Sequence, residues 1–459
     1  MATVGSTSPS SSSFPLFVLL LLLLSSHAEV YSSSAASYST TVKFLPGFQG
    51  PLPFHLETGY VGVSESEDVQ LFYYFSKSER NPKEDPLMLW LTGGAGCSAL
   101  SSLAFEIGPF NFRIEEYNGS LPTLLSNPHS WTKVASIIFV DLPANTGFSY
   151  AKPPVAIQQF LSNPFYVGGD SYSGLIVPAV SLEILKGNED SVKSPINYQG
   201  YLLGNPTTDG TQDGNFKIPF AHGMGLIPDE LYQSLKSSCG GEYQNVDPNN
   251  EMCVRSIAAY EKCVSGLNGA HILEPSCPYL SPKPEEEFFG RRSLDETSES
   301  SLLLTSEPSL PTIGCRLYEA VLATRWANDD WVQKALGIRQ ASIGKWQRCV
   351  QTNYTREINS SIPFHVELSS KGYRALVYSG DHDFLVPFCG TEAWIRSLNY
   401  SIVDEWRPWL VQSQIAGYTR TYSNGMTYAT VKGGGHTAPE YKPRECFAMF
   451  ERWISQKPL

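Results

Sequence analysis

Between Phe165 and Pro178 the chain reads FYVGGDSYSGLIVP. An apolar run ends on two glycines and a polar tip follows. The apolar spacing then becomes helical, at Ile176, Val180, Leu182 and Leu185. A strand that turns this abruptly into a helix brings two backbones close together, so only small residues fit around the tip. Gly169 and Gly174 supply two of them and Ser173 a third, with Ser171 at the tip itself. Other apolar runs bounded by turn residues are VQLFYYFS (Val69 to Ser76), PLMLWL (Pro86 to Leu91), ASIIFVDL (Ala135 to Leu142), YQGYLLG (Tyr198 to Gly204), RALVYS (Arg374 to Ser379) and TYATV (Thr427 to Val431). The chain closes with an amphipathic helix, RECFAMFERWIS, Arg444 to Ser455. Strands alternating with helices predict an α/β fold, with a mostly parallel central sheet and helices on both faces.

The pattern changes from about 211 to 325. Five of the nine cysteines lie there, and helical pieces such as DELYQSLKSS alternate with loops. The stretch about 281–312 is polar, rich in Pro and Ser, and carries Arg291-Arg292. We read 211–325 as an insertion stapled by disulfides, with an exposed, protease-accessible linker. The core resumes at 326–459 with WANDDWVQKALGI, a helix expected to be capped by Asn328.

Residues 1–28 read as a signal peptide. A Ser-rich start leads into FPLFVLLLLLL and then Ser26-His27-Ala28, a small-x-small cleavage pattern, and the apolar run is too short to span a bilayer. The core would then begin at 29 and run to 210. Entry into the secretory pathway makes disulfides the default for the cysteines, and an odd count leaves at least one thiol without an internal partner. No pair has C-x-x-C spacing, and no metal or cofactor is expected. Sequons at Asn118, Asn353, Asn359 and Asn399 fit a glycosylated lumenal protein; Asn205 precedes Pro206 and is not one. A formal charge of -12 without a basic run excludes nucleic acid and anionic membranes as natural partners, and no membrane association is expected once the signal is removed.

A nucleophilic serine needs a base, an orienting acid and donors for an oxyanion. Ser171 is the candidate nucleophile; Ser173 in that role would put serine at 171, where the turn motif needs glycine. YSGDHDFLVP offers Asp381 and Asp383 in one strand-end loop, and VKGGGHTAP offers His436 after three glycines in another. The chain order Ser, Asp, His favours His436 as base, with His382 as the competitor. In WLTGGAGCSALSS a strand ends at Leu91 and a glycine loop follows. The Gly94 and Tyr172 backbone N–H groups are the candidate oxyanion donors.

With these residues in order, the chain resembles plant serine carboxypeptidase-like proteins from Val42 to its end, through LTGGAGCS, FVDLPANTGFSYA, FYVGGDSYSG, GNP, AHGMGLI, YSGDHD and GGGHTAPEY. The resemblance implies an α/β-hydrolase fold with a lid insertion, and a Ser171, Asp383, His436 triad. It also implies the disulfides Cys97–Cys349, Cys239–Cys253 and Cys277–Cys315, leaving Cys263, Cys389 and Cys446 over. Peptidases of this family resemble NGGPGCSS and GESYAG, whose Asn and Glu hold a peptide's terminal carboxylate. Here those positions are Thr92 and Asp170, beside Gly93. LTGG with GDSYSG looks like the acyltransferase branch, which takes acyl groups from glucose esters of phenolic acids. The implied partners are a small-molecule acyl donor and acceptor, or a peptide C-terminus. The implied location is secreted or vacuolar, as a monomer or as two chains if the linker is cut.

Three departures matter. Ala95 replaces a proline and Asn145 a glycine. The family's long helical segment before the nucleophile strand is also reduced, around 151–163, to little more than PPVAIQQ. The last departure predicts a partly bare sheet face and low stability, and it keeps a non-catalytic isoform open beside the acyltransferase and carboxypeptidase readings.

Overall fold

The computed structural model describes residues 39–63, 69–150, 163–189, 195–276, 315–339, 342–350 and 357–459. The signal segment 1–28, the linker about 281–312, residues 151–162 of the shortened crossover, Cys277 and the Asn353 sequon lie outside these. No described helix is long and apolar enough to cross a membrane.

Eleven strands form one sheet: β1 (Ser39–Thr41), β2 (Leu56–Val63), β3 (Val69–Ser76), β4 (Leu87–Leu91), β7 (Ser136–Val140), β8 (Phe165–Asp170), β9 (Tyr198–Gly204), β10 (Arg374–Gly380), β11 (Ile402–Val411), β12 (Gln414–Tyr422) and β13 (Met426–Val431). The short strands β5 (Phe110–Phe112) and β6 (Leu124–Ser126) pair separately. The sheet order is β1-β2-β3-β7-β4-β8-β9-β10-β13-β12-β11. The centre, from β7 to β13, is parallel throughout. Both margins are antiparallel, so the sheet is mixed, with parallel pairing confined to its middle.

Strand alternation feeds two cores. Leu87, Leu89 and Leu91 of β4 point to one face and Met88 and Trp90 to the other. The first face packs on α1 (Ser173–Glu189), through Val177, Val180, Ile184 and Leu185. The second packs on the closing helix Pro443–Ile454, whose Cys446, Met449, Phe450, Trp453 and Ile454 recur at helical spacing. A third cluster, including Ile218, Phe220, Leu235, Tyr260 and Phe384, belongs largely to helices inserted between β9 and β10. These include α2 (Lys217–Gly223), α3 (Asp229–Cys239) and α4 (Glu251–Val264). The α3–α4 pair is joined by Cys239–Cys253, and Asn250 caps α4 by accepting from the Cys253 N–H.

One expectation needs correction. The helix at 330 is capped by Asp329, which accepts from the Trp331 and Val332 N–H groups. Asn328 instead closes the preceding helix, with its amide donating to the Thr324 and Trp346 carbonyls. A capping side chain must precede the first helical turn by one residue, and here Asp329 occupies that place. β7 and β8 flank β4, so their connection must pass over one strand. Among the described residues of the sheet face near the shortened crossover Leu71, Tyr73, Leu89 and Val167 are buried, and Val69, Ile138 and Leu142 are half-buried. Asn145 takes φ 70, in the left-handed region that Asn tolerates better than most residues.

Trp131 lies at the centre of the second core, stacked on Phe450 at 4.2 Å and edge-on to Trp90. Trp131→Ala should cost about 3–5 kcal/mol in urea-induced unfolding. A loss below about 1 kcal/mol would mean that this contact does not tie the closing helix to the sheet.

Candidate active site

Ser171 takes φ 53 between the end of β8 and the start of α1. A non-glycine residue in this region stores about 1–3 kcal/mol of strain, so its surroundings must hold it there. They do so through the backbone. The Ser171 N–H donates to the Gly204 carbonyl at 3.0 Å, and the Ser171 carbonyl accepts from Gly174 and Thr207 at 2.9 Å each. The small residues are sterically required. A Cβ on Gly169 would meet the Leu91 carbonyl at 2.6 Å, and one on Gly174 would meet the Thr207 carbonyl at 2.5 Å. Ser173 fits because its hydroxyl donates to the Thr92 carbonyl at 3.2 Å, tying the elbow to the loop after β4.

The loops after β8, β10 and β13 converge at one end of the sheet. The Ser171 Oγ lies 2.7 Å from His436 Nε2, and His436 Nδ1 lies 2.8 Å from Asp383 Oδ2. Asp383 has no exposed surface. It also accepts from Asn205 Nδ2 at 2.7 Å, from the Leu385 N–H at 2.8 Å and from the Val386 N–H at 3.2 Å. Asn205 in turn accepts from the Gly380 N–H, so one side chain at the end of β9 fixes both the acid and the strand that carries it. The inserted segment pins the same loops from above. Ala270 accepts from the His436 N–H at 2.7 Å, and Gly269 accepts from the Phe384 and Leu385 N–H groups.

The competing residues face elsewhere. His382 Nδ1 pairs with Asp381 at 2.5 Å, Asp381 accepts from the Gly433 N–H, and the His382 ring stacks on His271. Gly94 lies exposed in the loop after β4, which is packed so tightly on the elbow that a Cβ on Gly93 would meet Ser171 Cβ at 2.7 Å. Tyr172 follows Ser171 directly.

Thr92 and Asp170 belong to one polar cluster. The Gly93 N–H donates to Asp170 Oδ1 at 3.1 Å. The Thr92 hydroxyl meets Ser102 Oγ at 2.8 Å, and Ser102 Oγ lies 2.9 Å from Glu106 Oε2. Trp90 Nε1 also donates to Ser102. Burial raises Asp170 to about 6, although His436 and the Gly93 N–H oppose it. Burial, with Asp170 and Glu440 nearby, holds the Glu106 carboxyl well above the ordinary range. For His436, burial disfavours the charge, but Asp383, Asp170 and Glu440 outweigh it and leave the imidazole more basic than usual. Asn205, Ser102 and Glu106 were not singled out from the sequence. The motif GNP contains the first, and nothing in SALSSLAFE distinguishes the other two.

Cys97 is bonded to Cys349, anchoring the same glycine loop. Cys315 is disulfide-bonded, and Cys263, Cys389 and Cys446 are free thiols. Asn118, Asn359 and Asn399 are exposed. Among the described residues no group of three or more His, Cys, Asp or Glu could hold a metal ion.

A profile described as serine carboxypeptidase matches residues 46–159 and 155–456, breaking at the shortened crossover. Serine carboxypeptidase-like 7 of Arabidopsis thaliana is 50% identical, over 96% of this chain and 98% of its own length. Serine carboxypeptidase-like 12 of the same plant is 52% identical, over 97% of this chain and 100% of its own. Among solved structures, the prohormone-processing carboxypeptidase Kex1 of Saccharomyces cerevisiae superposes with a TM-score of 0.65. That match covers 88% of this chain and 91% of that one at 19% identity, a likeness of fold.

A histidine acts as a base only when neutral, so kcat/KM for an uncharged ester should rise with pH through a midpoint above the ordinary histidine value. Asp170→Asn removes one charge that raises it and should move that midpoint down. A pH profile whose midpoint stays in place or moves up would separate Asp170 from His436.

Proposed function

We propose, for a chain that belongs to the serine carboxypeptidase family and is an enzyme of it, that it transfers acyl groups from glucose esters of phenolic acids to an acceptor hydroxyl. Ser171 is the nucleophile, His436 the base, Asp383 its orienting acid, and the Gly94 and Tyr172 N–H groups the oxyanion donors. The Ser171 Oγ attacks the ester carbonyl while its proton passes to His436 Nε2. As the tetrahedral intermediate collapses, His436 returns that proton to the departing glucose oxygen, leaving an acyl-serine. The acceptor hydroxyl then gives its proton to His436 and attacks the acyl carbonyl, and His436 hands the proton back to Ser171.

The observation that carries transfer over peptide hydrolysis is the fate of the Thr92 hydroxyl. A hydroxyl has one proton to give. The Thr92 hydroxyl already lies 2.8 Å from Ser102 Oγ, so toward substrate it offers at most one proton, and it has no amide to give. A peptide's terminal carboxylate needs donors there. Losing one hydrogen bond to a charged group costs about 1.5–3 kcal/mol, or about 10- to 150-fold in binding. The carboxypeptidase reading has one observation in its favour: Asp170 and Glu106 are both held toward their neutral, proton-donating forms. The disulfides support passage through the secretory pathway, to the cell exterior or vacuole.

Ser171→Ala should lower transfer by at least about a thousand-fold, and Ser173→Ala should leave it within a few-fold. Transfer from a hydroxycinnamoyl glucose ester to an alcohol should exceed release of the terminal residue from a blocked dipeptide. Thr92→Asn with Asp170→Glu should shift that ratio toward the peptide by about ten-fold or more. Efficient peptide cleavage by the unaltered chain, with no product from the glucose ester, would overturn transfer in favour of hydrolysis.

A further inference from the structure

One cation beside the site has no hydrogen bond or ion pair among the described residues. Lys217 begins α2, and its ammonium lies 5.9 Å from the centre of the Phe384 ring. Phe384 directly follows Asp383. Two acids project charge onto Lys217, Asp383 and Asp213. Neither lies within ion-pair distance. Asp383 is held by Asn205, His436 and two backbone N–H groups. Asp213 accepts from the Thr208 and Asp209 N–H groups.

The ring beside the Lys217 ammonium belongs to an aromatic cluster. Phe384 packs against Phe220, which packs against Phe388. Burial makes the ammonium easier to deprotonate than a free lysine, and the two acids offset this only in part. A half-buried cation against aromatic rings, without a counter-ion, is costly unless something supplies an oxygen. Lysines elsewhere in the fold, such as Lys133 with Glu79 and Lys186 with Glu183, do have carboxylate partners.

We propose that Lys217 is a specificity-determining residue, whose ammonium takes an anionic oxygen carried by the substrate, a carboxylate or a phenolate. The proposal rests on the reading of Ser171 as the acyl-accepting nucleophile. Lys217 begins an inserted helix and lies against Phe384, the residue after Asp383. The anionic oxygen belongs either to the acyl group or to the acceptor, and the test separates these sources.

The acyl arm uses 4-nitrophenyl esters of cinnamic acid and of 4-carboxycinnamic acid, which need no glucose. The acceptor arm uses a cinnamoyl glucose ester with an alcohol that carries a carboxylate, against the same alcohol as its methyl ester. In the arm that Lys217 serves, Lys217→Met should lower kcat/KM for the charged member by about ten-fold or more. The uncharged member should change less than about two-fold, and Lys217→Arg should retain most of the charged preference. If Lys217→Met fails to fold, Lys217→Gln takes its place. Equal losses on charged and uncharged members of both arms, or no loss in either, would overturn the proposal. If the glucose esters donate nothing, the transfer reading falls, and the nitrophenyl pair alone then decides Lys217 by the same criterion.

Discussion

A carboxylate with no exposed surface organises this site. Asp383 is satisfied by four donors: the Asn205 amide, two backbone N–H groups of its own loop, and His436. An ion so placed is stable only while every donor stays in position, because a buried charge that loses its partners costs several kcal/mol. The donors come from the ends of β9, β10 and β13, so the parallel centre of the sheet must be in register for the ion to survive. His436 then inherits its orientation and its raised basicity from that ion, and presents Nε2 to the Ser171 Oγ.

The elbow sets a second constraint. Ser171 is strained, and the strain is held by hydrogen bonds to the ends of β9 and by small residues packed at near-contact distances. Serine at 173 in place of the usual glycine adds a contact, since its hydroxyl bridges to the Thr92 carbonyl. The shortened crossover lies just upstream of this arrangement. The strands on either side of it keep their parallel pairing with β4, and most of the face it would cover is buried. The shortening therefore bears on how the sheet is shielded at Ile138 and Leu142, and not on the strand order that aligns the loops.

Much of this was legible in the sequence for physical reasons. Continuous apolar runs between turn residues mark strands buried on both faces, and all of the central parallel strands were visible that way. Glycine-rich loops at strand ends marked where Ser171, Asp383 and His436 converge. Other features left no local signal. The β11–β12 hairpin turns at Gln412 and Ser413, both with positive φ, without the Asn-Gly or Gly-Gly pair that announces such a turn. The helix cap slipped by one residue because Asn328 and Asp329 are both good caps. Glu106 and Ser102 matter only through contacts made across the fold. Their place beside Thr92 follows from the π-helical turn at Ser102–Glu106 packing under β4.

The central claim is that Ser171 accepts an acyl group from an ester and passes it to a hydroxyl other than water. Intact-protein mass measured in the first seconds after mixing with a hydroxycinnamoyl glucose ester tests this directly. The account predicts a gain of one acyl group, mapped to Ser171, that decays faster when an acceptor alcohol is added and reappears as the acceptor's ester. An unmodified Ser171 throughout, while a blocked dipeptide loses its terminal residue in the same preparation, would contradict it.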